Sequence, residues 1–326
     1  MMIVVTGGAG FIGSALVWRL NKLGHTNIII VDELGKDDKW KNLVGLNYVD
    51  YFDKFDFIEM ILDRTVPFDI DAIFHLGACS ATTEKDADYL MTNNYKYSLE
   101  LAKYCLEQDI RFIYASSAAT YGDGSNGYSD NENNLDTLRP LNMYGYSKHL
   151  LDTWLLKHKL LHKVVGLKYF NVYGPNEYHK DDMRSVVHKA FGQIQETGKV
   201  NLFKSYHPDY KDGEQKRDFI YVKDAVEMTL HFFHNRDIGG IYNIGTGNAH
   251  TWIELVTAIF KALNKPVNIE FIDMPEHLRE KYQYFTQADI FKIREKKYIH
   301  PIYDINVGVS DYVKEYLLKN EYLGLS

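Results

Sequence analysis

The chain opens on a short apolar run, Met2–Thr6, that ends in glycines, and Ser14–Leu23 follows with Ala15, Leu16, Leu20 and Leu23 at helical spacing. The same alternation of a buried-type strand and an amphipathic helix continues through the first half. Asn27–Val31 is β-branched and runs into Asp32, while Ala72–Leu76 and Arg111–Ala115 are further strands separated by a helical stretch over Tyr89–Gln108. Asn142–His162 reads as another helix, followed by the strand Val164–Phe170. This β-α-β-α order predicts an α/β fold built on a doubly wound parallel sheet, because successive parallel strands need helical crossovers that cover both faces.

After Pro175 the pattern changes. Asn176–Arg184 and Lys204–Lys216 are polar and rich in Lys and Tyr, break the periodicity, and read as binding loops. Two domains are expected: residues 1–170, joined by segments near 218–246, and a smaller mixed α/β domain over 171–326. The chain should return to the sheet around Phe219–Val222 and Ile241–Ile244.

Bulk composition narrows the partners. Net charge is −7 over 326 residues, which disfavours nucleic acid, so any phosphate must be held by local chemistry. Two cysteines, Cys79 and Cys105, cannot build a disulfide framework and read as core side chains. No apolar run reaches the ~18 residues of a membrane span, and the first residues already read as strand and turn. A cytoplasmic protein without a membrane partner is the expectation.

Thr6-Gly7-Gly8-Ala9-Gly10-Phe11-Ile12-Gly13 lies between the first strand and first helix. Gly7 suits a tight turn, Gly10 a close approach to a pyrophosphate, and Gly13 helix–strand packing, with the helix N-terminus favouring the anion. This is the dinucleotide-binding turn of a Rossmann fold. Asp32 ends the second strand, where a carboxylate grips the adenosine ribose, which suggests NAD. Lys39 and Lys54 follow and are able to neutralise a 2′-phosphate, which leaves NADP open.

Tyr144 and Lys148 form the chain's only Tyr-x-x-x-Lys pair and share one face of a predicted helix. A phenol of pKa about 10 is too weakly acidic to serve as a base at neutral pH, but a nearby ammonium and a positive nicotinamide both favour the phenolate. Ser117, in the hydroxyl-rich stretch Ser116–Gly122, is placed to hydrogen-bond a substrate hydroxyl that Tyr144 deprotonates.

With Asn171-Val172-Tyr173-Gly174-Pro175, Arg217–Val222 and Tyr242–Gly247, these motifs are spaced as in the extended short-chain dehydrogenases/reductases, which the chain resembles over nearly its whole length. His75–Ser80, Asn142–Lys148, His179-Lys180 and Tyr284–Asp289 resemble in particular the family of ADP-glyceromanno-heptose 6-epimerases. The resemblance implies transient oxidation at heptose C6 by a tightly held NADP, an ADP-heptose substrate, a role in lipopolysaccharide inner-core synthesis and a homopentamer. It implies cofactor contacts at Phe11, Ile12, Asp32, Glu33, Lys39, Lys54, Leu76, Gly77, Ala78, Cys79, Ser80, Asn93, Lys148, Val172 and Lys180. Substrate contacts are implied at Ser117, Asn171, Asp182, Lys189, Phe203, Lys204, Ser205, Tyr206, Arg217 and Tyr282, and acid/base roles at Tyr144 and Lys180. The chain departs from the pattern at Glu33, where the family often has Asn, and at Asp182 and Lys189, which replace a small hydroxyl residue and a His. Its loop Asn201–Gln215 is also long.

Other chemistries fit less well. A 4,6-dehydratase needs an acid and a base where this chain has Ala118 and Ala119. A UDP-hexose 4-epimerase, a reductase turning over free cofactor and a non-catalytic NADP sensor are the alternatives, the last disfavoured by an intact Ser117/Tyr144/Lys148 set. His158 and His162 have ligand-like spacing but lack the glutamate of a zinc helix. Trp18, Trp40, Trp154 and Trp252 read as packing residues.

Overall fold

The run Ile3-Val4-Val5-Thr6 has no exposed position, and it forms β1 (Ile3–Thr6), an inner strand of the main sheet. A computed structural model describes residues 2–279 and 282–325 of the chain. Helix α1 (Phe11–Lys22) follows, then β2 (Ile28–Asp32), β3 (Asp50–Asp53), α2 (Lys54–Asp63) and β4 (Ala72–His75). Next come α3 (Ala87–Leu90), a π-helical turn (Met91–Lys96), α4 (Tyr97–Glu107), β5 (Arg111–Ser117), α5 (Met143–Lys157) and β6 (Val165–Tyr169). The second half contributes β7 (Asn171–Tyr173), α6 (Val186–Thr197), β8 (Val200–Phe203), β9 (Lys216–Tyr221), α7 (Val222–His234), β10 (Gly240–Ile244), β11 (Ala249–Thr251), α8 (Trp252–Ala262) and β12 (Ile269–Ile272).

Seven strands pair in the order β10-β6-β5-β4-β1-β2-β3, all parallel. Because side chains alternate across a strand, each strand serves two cores. Ile3, Val5, Ile28, Ile30 and Phe74 pack with Leu16 and Leu20 of α1 and Val226 and Leu230 of α7. Val4, Ile29, Val31 and Ile73 pack on the other face with Phe57 of α2, Leu101 of α4 and Leu151 of α5. The fold is therefore the doubly wound α/β sheet expected. Strand order reverses beside β1, which opens a crevice at the carboxyl ends of β1 and β4.

Two helix boundaries and one strand placement depart most from the sequence reading. Helix α1 begins at Phe11, three residues earlier than its apolar spacing suggested, because its N-cap is Gly10 and no polar side chain announces it. Helix α5 ends at Lys157 rather than at His162: Lys159 takes a left-handed φ of 57°, which a continuing helix cannot hold. The return of Phe219–Val222 to the main sheet is corrected. Phe219–Tyr221 lies in β9, which pairs with β7 in parallel and with β11 in antiparallel, forming a separate three-stranded sheet, while Val222 already starts α7. Ile241–Ile244 does join the main sheet, as β10 beside β6. Strands β8 and β12 form a third, two-stranded sheet. Among the described residues no helix is long and apolar enough to cross a membrane.

Candidate active site

A cleft of ≈ 620 Å³ lies over the carboxyl ends of β1, β4 and β5 and is closed on its far side by residues 171–187. Its floor is the glycine turn. Gly7 has a φ of +67°, and a Cβ there would sit 2.6 Å from the Gly77 nitrogen. A Cβ on Gly13 would meet the Gly7 carbonyl oxygen at 2.0 Å, so any larger residue would push helix from strand. No side chain caps α1 and its first turn holds no acidic residue; the Gly10 amide donates to the Gly7 carbonyl at 3.0 Å, and the helix N-terminus that begins at Phe11 and Ile12 on the cleft is left to favour an anion. These features fit a dinucleotide pyrophosphate.

Leu76, Gly77, Ala78, Cys79 and Ser80 form the wall after β4. Asn94 holds that wall in place: its Oδ1 accepts from the Cys79 amide at 2.9 Å, and its Nδ2 donates to the Cys79 carbonyl and to Ser147 Oγ. The π-turn that carries Asn94 also turns Asn93 toward the ribose end. Sequence reasoning missed Asn94, because a widened helical turn has no local signature.

A second pocket adjoins the first and contains Asp32, Glu33, Lys39, Lys54 and Asn93. Here the carboxylates and lysines pair crosswise. Lys39 Nζ lies 3.0 Å from Asp32 Oδ1, and Lys54 Nζ bonds Glu33 Oε2 and, at 2.8 Å, Asn93 Oδ1. Asp32 also accepts from the Ala9 amide at 2.9 Å, which ties the carboxylate at the end of β2 to the glycine turn.

The candidate reacting groups lie at the other end of the cleft. Ser117 ends β5, and Tyr144 and Lys148 occupy successive turns of α5, all three on the cleft. Burial in the cleft raises the phenol of Tyr144, and a hydrogen bond from Ser117 opposes that rise. Lys148 follows Tyr144 one turn later on α5. Its Nζ donates to the Ala115 carbonyl at 2.9 Å, and burial brings its own pKa down to about 8.

Lys180 enters from the facing loop, with its Nζ 5.4 Å from the centre of the Phe11 ring. Burial lowers its pKa, and the carboxylate of Glu177 partly restores it. Asn171 and Val172 complete that rim. Asp182 and Lys189 do not reach the cleft. Both are exposed, and Lys189 Nζ donates to the Asp182 carbonyl at 2.5 Å. Asp181 has φ 44° and ψ −120°, a sharp reversal that turns Met183 and Arg184 inward instead. Arg184, whose Nε is buried without a partner, is thus a cleft residue that the sequence did not single out.

Phe203, Lys204, Ser205 and Tyr206 also stand apart from the cleft wall. Lys204 and Tyr206 bind Asp273, at 3.1 and 3.0 Å. Arg217 is buried between the rings of Trp252 and Tyr282, at 5.7 and 5.3 Å, and donates to the carbonyls of Lys216 and Gln283. Trp252 was expected only to pack, yet it lines the cleft and donates Nε1 to the Tyr282 hydroxyl at 2.9 Å. It carries the Arg217–Tyr282 group to the edge of the site. Trp40, also read as packing, is half-exposed. His158 stacks on Trp154 with ring centres 4.1 Å apart.

Comparison with known proteins agrees with this geometry. The model of the NAD dependent epimerase/dehydratase family matches residues 3–245. A relative from Nitratidesulfovibrio vulgaris named ADP-L-glycero-D-manno-heptose-6-epimerase is 54% identical over 316 residues, covering 97% of this chain and 98% of the relative. The crystal structure of the Helicobacter pylori protein of the same name superposes with a TM-score of 0.82 at 29% identity, covering 96% of this chain and 95% of that one. A UDP-glucuronic acid 4-epimerase from Bacillus cereus, solved in complex with UDP-glucuronic acid and NAD, superposes with a TM-score of 0.76 at 27% identity, covering 97% and 99%. The chain belongs to the NAD dependent epimerase/dehydratase family.

Proposed function

We propose that the protein interconverts ADP-D-glycero-D-manno-heptose and ADP-L-glycero-D-manno-heptose, inverting C6 through a 6-ketone, for lipopolysaccharide inner-core heptose synthesis. One observation carries this reading: Tyr144 and Lys180, two candidate proton carriers from different elements, line the same cleft. When bound, the nicotinamide supplies the hydride acceptor and donor. Ser117 orients the reacting hydroxyl and Tyr144 takes its proton, with Lys148 beside it. Lys180 serves the hydroxyl when the exocyclic carbon presents it from the other side. Ala118 and Ala119 leave no side chain after Ser117 to expel water, which supports epimerisation over dehydration.

The test is to incubate the purified protein with either ADP-heptose epimer and follow the sugar signals by proton NMR. Both starting materials should reach the same mixture, and UDP-glucose should stay unchanged. Conversion of UDP-glucose to UDP-galactose with inert ADP-heptose would make a one-tyrosine 4-epimerase the better reading.

The cofactor we propose is NADP. Lys39 and Lys54 both project into the ribose pocket, which supports a place for a 2′-phosphate beside Asp32 and Glu33. Denatured protein should release one NADP per chain, and Lys39→Ala should weaken NADP more than NAD. Equal losses for the two cofactors, or release of NAD alone, would move the assignment to NAD.

A further inference from the structure

Behind the reacting residues, Asp152 of α5 and Lys168 of β6 form an ion pair at 2.7 Å with no exposed side-chain surface. Burying two charges is costly, and a well-packed apolar pair of similar volume is often as stable, so stability alone is a weak reason for such a pair. Its connections point elsewhere. Asp152 also accepts from the Tyr114 hydroxyl at 2.8 Å and from Ser116 Oγ at 2.7 Å, both on β5. Lys168 Nζ donates to Thr120 Oγ1 at 2.6 Å, and the Thr120 hydroxyl donates to the Ser117 carbonyl at 2.8 Å.

Ser117 is therefore gripped twice from behind, through its neighbour Ser116 and through its own carbonyl. Tyr144, Lys148 and Asp152 stand at successive i, i+4 positions of α5, on one face of the helix.

We propose that Asp152 is a positioning residue for the reaction, fixing Ser117 through β5 and supplying the counter-charge to Lys148. This rests on Tyr144 and Lys148 being the reacting pair. The charged and titratable groups that act on Lys148 are Asp152 on its own helix, and His75 and Cys79 from β4 and the loop after it, while Tyr144 stands one turn before it on α5. His75, clamped between Thr6 and Ser98 and brought down to about 3 by burial, brings no charge at neutral pH. Tyr114 from β5, Lys168 from β6, Tyr121 after β5 and His149 on α5 surround Asp152. Burial pulls Lys148 down, and the Asp152 charge is the largest influence holding it up.

The experiment compares Asp152→Asn and Asp152→Asn/Lys168→Met with the parent as cofactor-loaded enzymes, measuring kcat, KM and Tm across pH. In Asp152→Asn, kcat should fall about tenfold or more with KM within about threefold, and the alkaline fall in kcat should begin about one pH unit lower, because Lys148 loses its proton more readily. The double variant removes the unpaired Lys168 cation, so Tm should recover while the alkaline shift persists. A double variant with parental kcat and parental alkaline limb would show that the pair is only structural and would overturn the proposal. If neither neutral variant folds, Asp152→Glu keeps the charge but displaces the carboxylate. It should lose kcat without moving the limb, and parental kcat would overturn the positioning role. Tyr144→Phe is the reference: if it keeps full turnover, the reacting-pair reading has failed and this proposal falls with it.

Discussion

Tyr144→Phe should keep the fold and the bound cofactor and lose turnover by about 10² or more, the usual scale for a missing general acid/base. The substitution removes one hydroxyl from a residue of the first turn of α5, so the sheet and the glycine turn are untouched. What disappears is the proton carrier. A factor of 10² corresponds to about 2.7 kcal/mol of transition-state stabilisation, more than a typical neutral hydrogen bond contributes. The direction of the phenol's pKa adds a second check. Burial raises it in the protein alone and the Ser117 hydrogen bond opposes that rise, so positive charge arriving beside it should make the base form more accessible. In the oxidised, cofactor-loaded enzyme the rise of activity with pH should therefore come at lower pH than the titration of Tyr144 in cofactor-stripped protein. Turnover assayed by NMR and cofactor content by absorbance decide the matter. Near-parental turnover in Tyr144→Phe would remove this residue from the mechanism.

The cofactor half of the site was legible in the sequence because it is local. Gly7, Gly10 and Gly13 act within one turn between adjacent elements, and Asp32 ends the next strand of the same sheet, so spacing alone brings them together. The main sheet was legible for a related reason: Ile3–Thr6, Ile28–Asp32 and Ala72–His75 are runs buried on both faces. Pairing partners are a different matter. Phe219-Ile220-Tyr221 looks like any buried strand, and nothing in those residues tells β7 from β6 as the neighbour. The substrate half depended on such non-local facts. Asp182 and Lys189 match substrate positions by resemblance, yet one residue with φ 44°, Asp181, reverses the loop so that Arg184 reaches the cleft and Asp182 meets solvent. An aspartate in that conformation cannot be foreseen from composition, since such backbone is costly and persists only where surrounding contacts enforce it. At Asp181 itself Arg184 donates to the carboxylate at 3.3 Å and to the carbonyl at 3.2 Å, and the loop is closed by Glu177, which accepts from the Ser185 hydroxyl at 2.7 Å and from the Ser185 amide.

Lys180→Met should bind cofactor and substrate normally and lose epimerisation, while one epimer still exchanges hydride with the nicotinamide. Inversion at an exocyclic carbon requires the hydroxyl to be served on two sides, since rotation about C5–C6 exposes the opposite face to the hydride carrier. One proton carrier on α5 reaches one side. Lys180 approaches from residues 171–187, across the cleft from Tyr144, and its Nζ lies near Phe11 at the mouth of the glycine turn. An ordinary lysine, with a pKa of about 10.4, holds its proton too tightly to act as a base near neutrality. Burial lowers that of Lys180, and the Glu177 carboxylate opposes the fall by favouring the ammonium. Methionine keeps the length and the packing against Phe11 but carries no proton. Single-turnover absorbance at the reduced nicotinamide band, read with each epimer in turn, separates the half-reactions. A signal from one epimer only, with no NMR interconversion, is the expected result. If Lys180→Met interconverts both epimers at the parental rate, Tyr144 serves both sides alone and the two-base scheme is wrong.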